Sequence, residues 1–347
     1  MDIARFTPDD RDTIEAAVEL TNAAMKVDSP FEYPFTVADY AAMRRHDWDG
    51  EPPETHAAWE HDRLVGLVAL HTSEWDNRHV AWLEALVHPD ARGAGLGSEL
   101  LAFAESRAME LGRTSVGLFG WDNAETLRFT RKHDLPRRGS AIKRRQTLSK
   151  VDPATVREVY DDAAAQATDY ELLRVVGRTP AEMLGSVAQL TASINDSPLD
   201  DLDIEDEVFP VERILAYEDA QDARGKRLYR VLARHRATGA LAGHTVVAVD
   251  SERPWIGDQH DTAVDGAHRG HRLGLLLKSD MLRWLAEVEP ALETIDTWNQ
   301  ESNDFMISVN ERLGYEVLGR ELQFQRDISP PAGDRRGDQV SPPMSTS

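Results

Sequence analysis

Two glycine-rich stretches carry the residue types best suited to chemistry, and the more complete one reads Arg-Gly-Ala-Gly-Leu-Gly over Arg92 to Gly97. Glycine lets backbone N–H groups turn inward without Cβ clashes, and a helix that begins at once adds the positive end of its dipole. Such a loop forms a cradle for a phosphate or a pyrophosphate. For a single glycine-rich loop, a surface turn is the alternative.

A degraded second copy of this stretch reads Arg-Gly-His-Arg-Leu-Gly over Arg269 to Gly274. Each stretch follows an apolar, strand-like run and precedes a helical one, which for the first copy are Val80 to Val87 and Ser98 to Leu111. Two copies in matching contexts favour a binding loop over a surface turn.

Residue spacing extends the match well beyond the two loops. Arg92 and Arg269 are 177 positions apart by subtraction, as are Val87 and Val264, while Asn123 and its copy further on are 180 apart. An insertion of three residues accounts for the change of spacing. The sequence therefore predicts a duplicated domain.

Composition restricts the classes of function. The 347 residues are 41% hydrophobic and 29% charged, with no cysteine and a formal charge of −22. The missing cysteine excludes disulfides, thiolate metal sites and a cysteine nucleophile. The acidic balance argues against nucleic acid and is compatible with cationic substrates such as amines, although solubility or a salt-adapted proteome explains it equally well. The longest apolar run is too short for a bilayer, and no leader is evident, so we expect a cytoplasmic protein.

The elements that position the loops follow one order in both halves. The pattern predicts a strand, two helices, three strands, the loop and its helix, then strand, helix and strand, with C-terminal helices over 180–194 and 207–222. We therefore predict an N-terminal domain over 1–150, a linking helix over 151–168 and a C-terminal domain over 169–328. Residues 329–347 are rich in Pro, Ser, Gly and charge, which predicts a disordered tail.

At these loops the chain resembles the GNAT family, the Gcn5-related N-acetyltransferases, in tandem form. The family signature is Gln or Arg, two residues, Gly, one residue, then Gly or Ala, and Arg92, Gly95 and Gly97 satisfy it. In the second copy Arg272 replaces the middle glycine. The resemblance extends to about residue 325. It implies an α/β fold with two tandem GNAT-like domains, each a mixed, largely antiparallel sheet flanked by helices.

The resemblance further implies acetyl-CoA as co-substrate, with its pyrophosphate on the loop amides. Its pantetheine arm would lie between the fourth and fifth strands, pairing with the fourth strand as an added peptide would. Basic residues in and beside the loops would help to hold the phosphates. The residues implied for acetyl-CoA binding are Leu86, Val87, Arg92, Gly93, Ala94, Gly95, Leu96, Gly97, Ser98, Asn123, Val264, Arg269, Gly270, His271, Arg272, Leu273, Gly274 and Asn303.

The attacking amine must lose a proton, which a carboxylate near the thioester can accept. Glu84 lies three residues before Val87, at a position resembling that of the glutamate base of several family members, and Asp261 is its copy. We predict these two carboxylates as the catalytic residues. The alternative is a strand-edge carboxylate in water or in an ion pair.

A tyrosine on the family's fourth helix often protonates the leaving thiolate, but here Thr130 and Asn310 take that position. Asn cannot donate a proton, and Thr could only relay one. Because a CoA thiolate can leave without help, activity is not excluded.

Three further features have simpler interpretations. His268 and His271 form an H-x-x-H pair beside Asp265, for which phosphate contact is simpler than metal ligation, so we predict no metal. The acidic run over 200–207 is either a solvated loop or a surface for a cationic acceptor. The tryptophans at 48, 59, 75 and 82 indicate core or rim packing.

The sequence thus predicts a cytoplasmic N-acetyltransferase that transfers an acetyl group from acetyl-CoA to a primary amine by direct attack in a ternary complex. The acceptor would be a small-molecule amine or a peptide amine, with no nucleic-acid or membrane partner, and the protein a monomer or a homodimer. The alternative is a non-catalytic acyl-CoA-binding or sensor protein in which one or both domains are degenerate.

Overall fold

The computed structural model describes residues 2–329. The N-terminal copy alternates strands and helices in the predicted order. Its elements are β1 (Asp2–Phe6), α1 (Arg11–Asp28), α2 (Val37–His46), β2 (Glu54–Glu60), β3 (Arg63–His71), β4 (Val80–Val87), α3 (Leu96–Glu110), β5 (Ser115–Trp121), α4 (Ala124–Lys132) and β6 (Arg137–Thr147).

The C-terminal copy repeats this order after a linking helix. Its elements are α5 (Pro153–Ala164), β7 (Tyr170–Val176), α6 (Leu184–Thr191), α7 (Val211–Ala223), β8 (Lys226–His235), β9 (Leu241–Asp250), β10 (Ile256–Val264), α8 (Leu273–Val288), β11 (Thr294–Gln300), α9 (Asp304–Arg312) and β12 (Tyr315–Asp327).

All strands join one 12-stranded sheet in the order β1-β2-β3-β4-β5-β12-β6-β11-β10-β9-β8-β7. Neighbouring strands are antiparallel, except that β4 runs parallel to β5 and β10 parallel to β11. The predicted mixed, largely antiparallel sheet flanked by helices is therefore confirmed. The sequence pattern did not indicate that the two sheets would be continuous.

The last strand of each copy lies in the other copy's half of the sheet. β12 pairs with β5, β6 pairs with β11, and the two exchanged strands pair with each other. β12 spans both cores, because Tyr315 packs in the C-terminal core while Leu322 and Phe324 pack in the N-terminal core. The two copies are thus interlocked through their final strands.

The two helix pairs that follow the first strands meet each other, since α2 packs against α7. Ion pairs tie the copies together near this contact. The buried Arg213 guanidinium of α7 donates to Asp49 at 2.8 Å and to Asp76 at 2.6 Å. Elsewhere, Lys143 of the exchanged strand β6 donates to Glu32 in the α1–α2 loop of its own copy at 2.6 Å.

Two predicted helices differ in extent. The helix predicted over 180–194 is regular only over α6, with short 3₁₀ turns at Ala181–Met183 and Ala192–Asp196. The helix predicted from residue 207 begins at Val211, because Pro210 disfavours helical geometry in the residue before it.

No helix among residues 2–329 is long and apolar enough to cross a membrane. Residues 330–347, which make up most of the predicted disordered tail, lie outside the described part of the chain. The domain boundaries at 150 and 169 stay a prediction.

We predict that residues 1–150 alone do not fold to a stable monomer. Without β12 the N-terminal core loses Leu322 and Phe324, which are 1% and 3% exposed. At about 1.5–3 kcal/mol for each side chain, this is a large share of a typical domain stability of about 5–15 kcal/mol.

Co-expression with residues 151–329 should restore a one-to-one complex, measured by size-exclusion chromatography and thermal melting against the intact chain. A cooperative melt of the 1–150 fragment by itself would contradict the interlocked fold.

Candidate functional site

The glycine loop of the N-terminal copy lies between the end of β4 and the start of α3. Gly93 and Gly95 adopt left-handed φ angles of 84° and 98°, which side chains disfavour. α3 has Gly95 at its N-cap, so no side chain accepts from its first turn. Within residues 2–329, the amides from Gly93 to Gly97 have no hydrogen-bond acceptor. Such a row of free donors is suited to an anion.

Arg92 holds this loop in place. Its guanidinium donates to Asp28 at 2.6 and 2.9 Å, to Glu125 at 2.9 Å, and to the Val87 carbonyl at 3.2 Å. Its own amide donates to Pro89. The side chain of Arg92, the first residue of the family signature, is therefore held by contacts within the protein.

The remaining loop residues pack the cradle against the body of the copy. Leu96 is buried in the core, and a Cβ on Gly97 would lie 3.2 Å from the Phe129 ring. Ala94 is exposed at the tip. The Ser98 hydroxyl contacts His133 and Lys132, both at 2.9 Å.

The C-terminal loop has the same shape in spite of its missing glycine. Arg272 stands at the N-cap of α8 with φ 56° and ψ 24°, the left-handed geometry that Gly95 adopts in the first loop. This geometry costs a side-chain-bearing residue roughly 1–2 kcal/mol. Among the described residues, the amides from Gly270 to Gly274 also have no acceptor. The substitution therefore leaves the cradle intact.

Arg269 repeats the contacts of Arg92, donating to Asp196 and to the Val264 carbonyl. Leu273 is buried as Leu96 is. His271 is exposed, with its ring 5.5 Å from that of Tyr170. The two loops are thus held by equivalent arginines.

Beside each loop the parallel strands part. β4 and β5 pair from Val80–Ser115 to Leu83–Leu118, and we call the gap beyond that point the N-terminal wedge. β10 and β11 pair as far as Asp258–Asp296, and the gap beyond is the C-terminal wedge. At Leu86 and Val87 one edge of β4 pairs with β3, and the other edge is open to the N-terminal wedge. Val264 has the same position in β10, where it pairs with β9. An extended amide-bearing chain can add to such an edge.

Asn123 and Asn303 cap the helices that follow the wedges. The side-chain oxygen of Asn123 accepts from the Thr126 amide at 2.8 Å, and that of Asn303 accepts from the Met306 amide at 3.1 Å. The side-chain oxygens of Asn123 and Asn303 therefore both cap helices.

Glu84 is held by two cationic groups. Arg44 donates to it at 2.8 Å, and His71 lies 3.8 Å away, itself 2.8 Å from Asp47. Burial alone would raise the pKa of Glu84, but attraction and hydrogen bonds from Arg44 and His71 outweigh it and hold the pKa well below its usual range. Burial lowers the pKa of His71, but Asp47 and Glu84 more than offset it and raise the pKa to about 9.

Asp261 occupies the matching place in the C-terminal copy without these partners. α2 and α7 end 177 positions apart by subtraction, so Gln221 stands where Arg44 does, and Ala248 where His71 does. Asp261 lies in a bulge of β10, between Gln259 and Thr262. Burial raises the pKa of Asp261, and the positive charges of Arg230 and Arg213 offset the rise only in part. The two predicted bases thus have opposite electrostatic environments.

The surroundings of Asp261 include residues from both copies. The Tyr217 hydroxyl lies 2.6 Å from Nδ1 of His260, and Trp48 of the N-terminal copy lies 4.4 Å from the His260 ring. Burial and nearby cations lower the pKa of His260 to about 3, so its ring is neutral. Glu207 adds a carboxyl group to these surroundings, and burial raises its pKa.

The positions of the missing tyrosine differ between the copies. The Thr130 hydroxyl donates to the Thr126 carbonyl of its own helix at 2.9 Å. Asn310 is fully buried and bonds to Lys278 and Asn299. Lys278 and the partners of Glu84 were not identified from the sequence. Aligning the two copies over α3 and α8 would have revealed Lys278, because it stands at the position of the core residue Leu101.

The H-x-x-H pair packs around an aromatic residue, since Nδ1 of His268 lies 2.9 Å from the Tyr170 hydroxyl. No group of three or more His, Asp or Glu side chains suited to a metal ion occurs within residues 2–329. The acidic run packs on the N-terminal half of the sheet, with the Asp203 amide donating to Gln325 of β12 at 2.7 Å and the Glu205 amide to Asn77 at 2.6 Å.

Comparison with known proteins adds independent information. The Acetyltransferase (GNAT) family profile matches residues 20–134. No functionally curated protein matches the sequence. A solved tandem GNAT protein from the clavulanic acid biosynthesis pathway is 25% identical, with a TM-score of 0.79 over 95% of this chain and 99% of that one.

Two more distant structures share the fold. A GCN5-related N-acetyltransferase from Sphaerobacter thermophilus is 16% identical, with a TM-score of 0.69 over 95% of this chain and 96% of that one. A glucosamine N-acetyltransferase region of a fungal multi-domain β-N-acetylglucosaminidase is 14% identical, with a TM-score of 0.67 over 93% of this chain and 38% of that one.

The profile match contains the first glycine loop and the strands that form the N-terminal wedge, and the full-length similarity accounts for the duplication. The predicted architecture of two tandem GNAT-like halves is confirmed. Residues 20–134 match the acetyltransferase (GNAT) family, and the chain as a whole has the fold of a tandem GNAT protein.

Proposed function

We propose that this protein transfers an acetyl group from acetyl-CoA to a primary amine by direct attack in a ternary complex. The observation that carries the proposal is the pair of loops with free amides, 93–97 and 270–274, each beside a wedge between parallel strands. The match of residues 20–134 to the acetyltransferase (GNAT) family supports the reaction class.

The loops fit a pyrophosphate. A Cβ at Gly93 or Gly95 would meet nothing within 4 Å, so the space in front of the free amides is open. Nearby, the open edges of Leu86, Val87 and Val264 can pair with the amides of the pantetheine arm. Acetyl-CoA, when bound, supplies an activated thioester.

The protein's own part in the chemistry is to orient the amine and accept its proton. We propose Asp261 as the general base of the C-terminal copy, because its raised pKa brings it closer to the working pH than an ordinary aspartate. Glu84 stays a predicted base, but the ion pair with Arg44 makes it the weaker proton acceptor.

A specific observation favours a second possibility for the N-terminal copy, namely binding without catalysis. Glu84 is neutralised by Arg44, and the Thr130 hydroxyl is bonded to its own helix. A copy that holds acyl-CoA but does not turn it over would support or regulate the other copy. Loss of catalysis on Asp261→Asn, with binding at both loops retained, would favour this division.

Blocking each loop in turn should remove one binding site. Gly95→Asp and its matched variant Arg272→Asp place a carboxylate at the same left-handed position of either loop, where it repels a phosphate. Isothermal titration calorimetry should then report one acetyl-CoA per chain for each single variant, two for the wild type and none for the double variant. Unchanged stoichiometry and affinity in both single variants would contradict the assignment.

Removing the proposed base should act on turnover. Asp261→Asn should lower kcat by about 100-fold, the usual scale for a general base, with the KM for acetyl-CoA nearly unchanged. The wild-type rate should rise with pH through the pKa of Asp261, above the range of an ordinary aspartate, since the deprotonated form is the active one.

Asp261→Asn should abolish this rise of the rate with pH, which is the acidic limb of the pH–rate profile. The matched variant Glu84→Gln should retain it. The measurement is CoA thiol release that depends on an added amine, first found by screening acceptors. Persistence of the limb in Asp261→Asn, with its loss in Glu84→Gln, would assign the base to the other copy.

A further inference from the structure

The C-terminal copy contains a buried lysine that the proposed mechanism does not use. Lys278 of α8 is 2% exposed, and no carboxylate within residues 2–329 lies within 4.0 Å of its ammonium. Its only polar partner there is Oδ1 of Asn310, at 2.7 Å, and Nζ lies 4.7 Å from the centre of the Tyr315 ring. Burying an unpaired charge is costly, so such a group calls for a function or a compensating anion.

Hydrogen bonds connect this lysine to the C-terminal wedge. Asn310 donates from Nδ2 to Oδ1 of Asn299 at 2.6 Å. Asn299 lies on β11 past Asp296, where β11 has parted from β10. Within the described chain the side-chain Nδ2 of Asn299 donates no hydrogen bond, and the side chain is half-buried, so its two N–H groups are free to donate to an anion.

A second buried cation lies on the same side of the sheet. Arg144 of β6 is 4% exposed and stands opposite Thr297, two residues before Asn299, so side-chain alternation puts all three on one face. Its Nε and Nη1 have no hydrogen-bond partner among the described residues. Burial lowers the pKa of Arg144, and the charge of Glu311 opposes this shift.

These polar groups are specific to the C-terminal half of the sheet, in which the exchanged strand β6 lies. By the registers of the strands and helices, neutral residues stand at the matching places of the N-terminal half. Lys278, Asn310, Asn299 and Arg144 correspond to Leu101, Thr130, Gly120 and Phe324, the last on the exchanged strand β12. Since the N-terminal half forms the same fold without them, the cations are not required by the architecture.

We propose that Lys278 and Arg144 stabilise negative charge on the CoA sulfur in the C-terminal wedge, with Lys278 acting as a positioning residue through Asn310 and Asn299. The proposal rests on the proposed function. In that reaction the C–N bond forms, the C–S bond breaks with its electron pair left on sulfur, and the proton of the amine passes to Asp261. A stabilised thiolate leaves without the tyrosine that this copy lacks.

The electrostatics support this assignment. Burial lowers the pKa of Lys278 to about 7, so its neutral amine is poised to gain a proton and become an ammonium when an anion comes near. The purely structural alternative is a polar network that fixes α8 on α9. An acyl-chain carboxylate is a different anion that the same cations could attract.

The experiment measures the thiol pKa of bound CoA in the full-length protein carrying Gly95→Asp, which restricts binding to the C-terminal loop. Thiolate absorbance is followed against pH for CoA alone and for the complex. With Lys278 intact, the complex should contain about tenfold more thiolate than free CoA at the same pH.

Lys278→Met should return the thiol to the behaviour of free CoA. It should also remain folded, because the matched position in the other copy is Leu101. Asn310→Thr introduces the residue that the N-terminal copy has at this position. It should likewise stay folded and return the thiol to the behaviour of free CoA. Leu101→Met is the matched control and should change nothing.

An unaltered thiol pKa in the Lys278→Met complex would overturn the proposal and leave the structural alternative. Tighter binding of succinyl-CoA than of acetyl-CoA that depends on Lys278, without a thiol shift, would also overturn it and assign the cations to an acyl carboxylate. Absence of CoA binding at this loop would instead contradict the proposed function of the C-terminal copy.

Discussion

The antiparallel pairing of β6 with β12 is the contact on which both halves of the molecule depend. Because each of these strands lies beside the fifth strand of the other copy, the two wedges share one continuous sheet. β12 contributes Tyr315 to one core and Leu322 and Phe324 to the other. The exchange therefore fixes the two candidate sites relative to each other and couples their stability.

Within this shared sheet, the two copies have the same loop geometry but differ in the charges around their predicted bases. Both loops present free amides and are held by an arginine paired with an aspartate. The carboxylates differ, since Glu84 is neutralised by Arg44 whereas Gln221 leaves Asp261 without such a partner. Under the proposed function, this difference would let the C-terminal site carry the chemistry while the N-terminal site retains binding.

The sequence predicted the duplication, the element order and the two loops, because glycine positions and strand-to-helix transitions are local signals. It underestimated the second loop, since the residue types do not reveal that Arg272 tolerates the left-handed geometry. It missed the strand exchange, because the hydrophobic pattern of β12 is the same whichever sheet it joins. The contrast between Glu84 and Asp261 was also hidden, because it depends on α2 and α7, which are distant in sequence and packed on the strands only after folding.

The proposed function requires that the backbone amides of both glycine loops bind the pyrophosphate of acyl-CoA. Selective ¹⁵N labelling of the 22 glycines tests it most directly, by amide chemical shifts recorded as acetyl-CoA is added. Binding at both loops should shift Gly93, Gly95 and Gly97 together with Gly270 and Gly274, while glycines distant from the loops and wedges, such as Gly177, stay in place. Saturable binding that leaves the amides of both loops unshifted would contradict pyrophosphate binding at these loops.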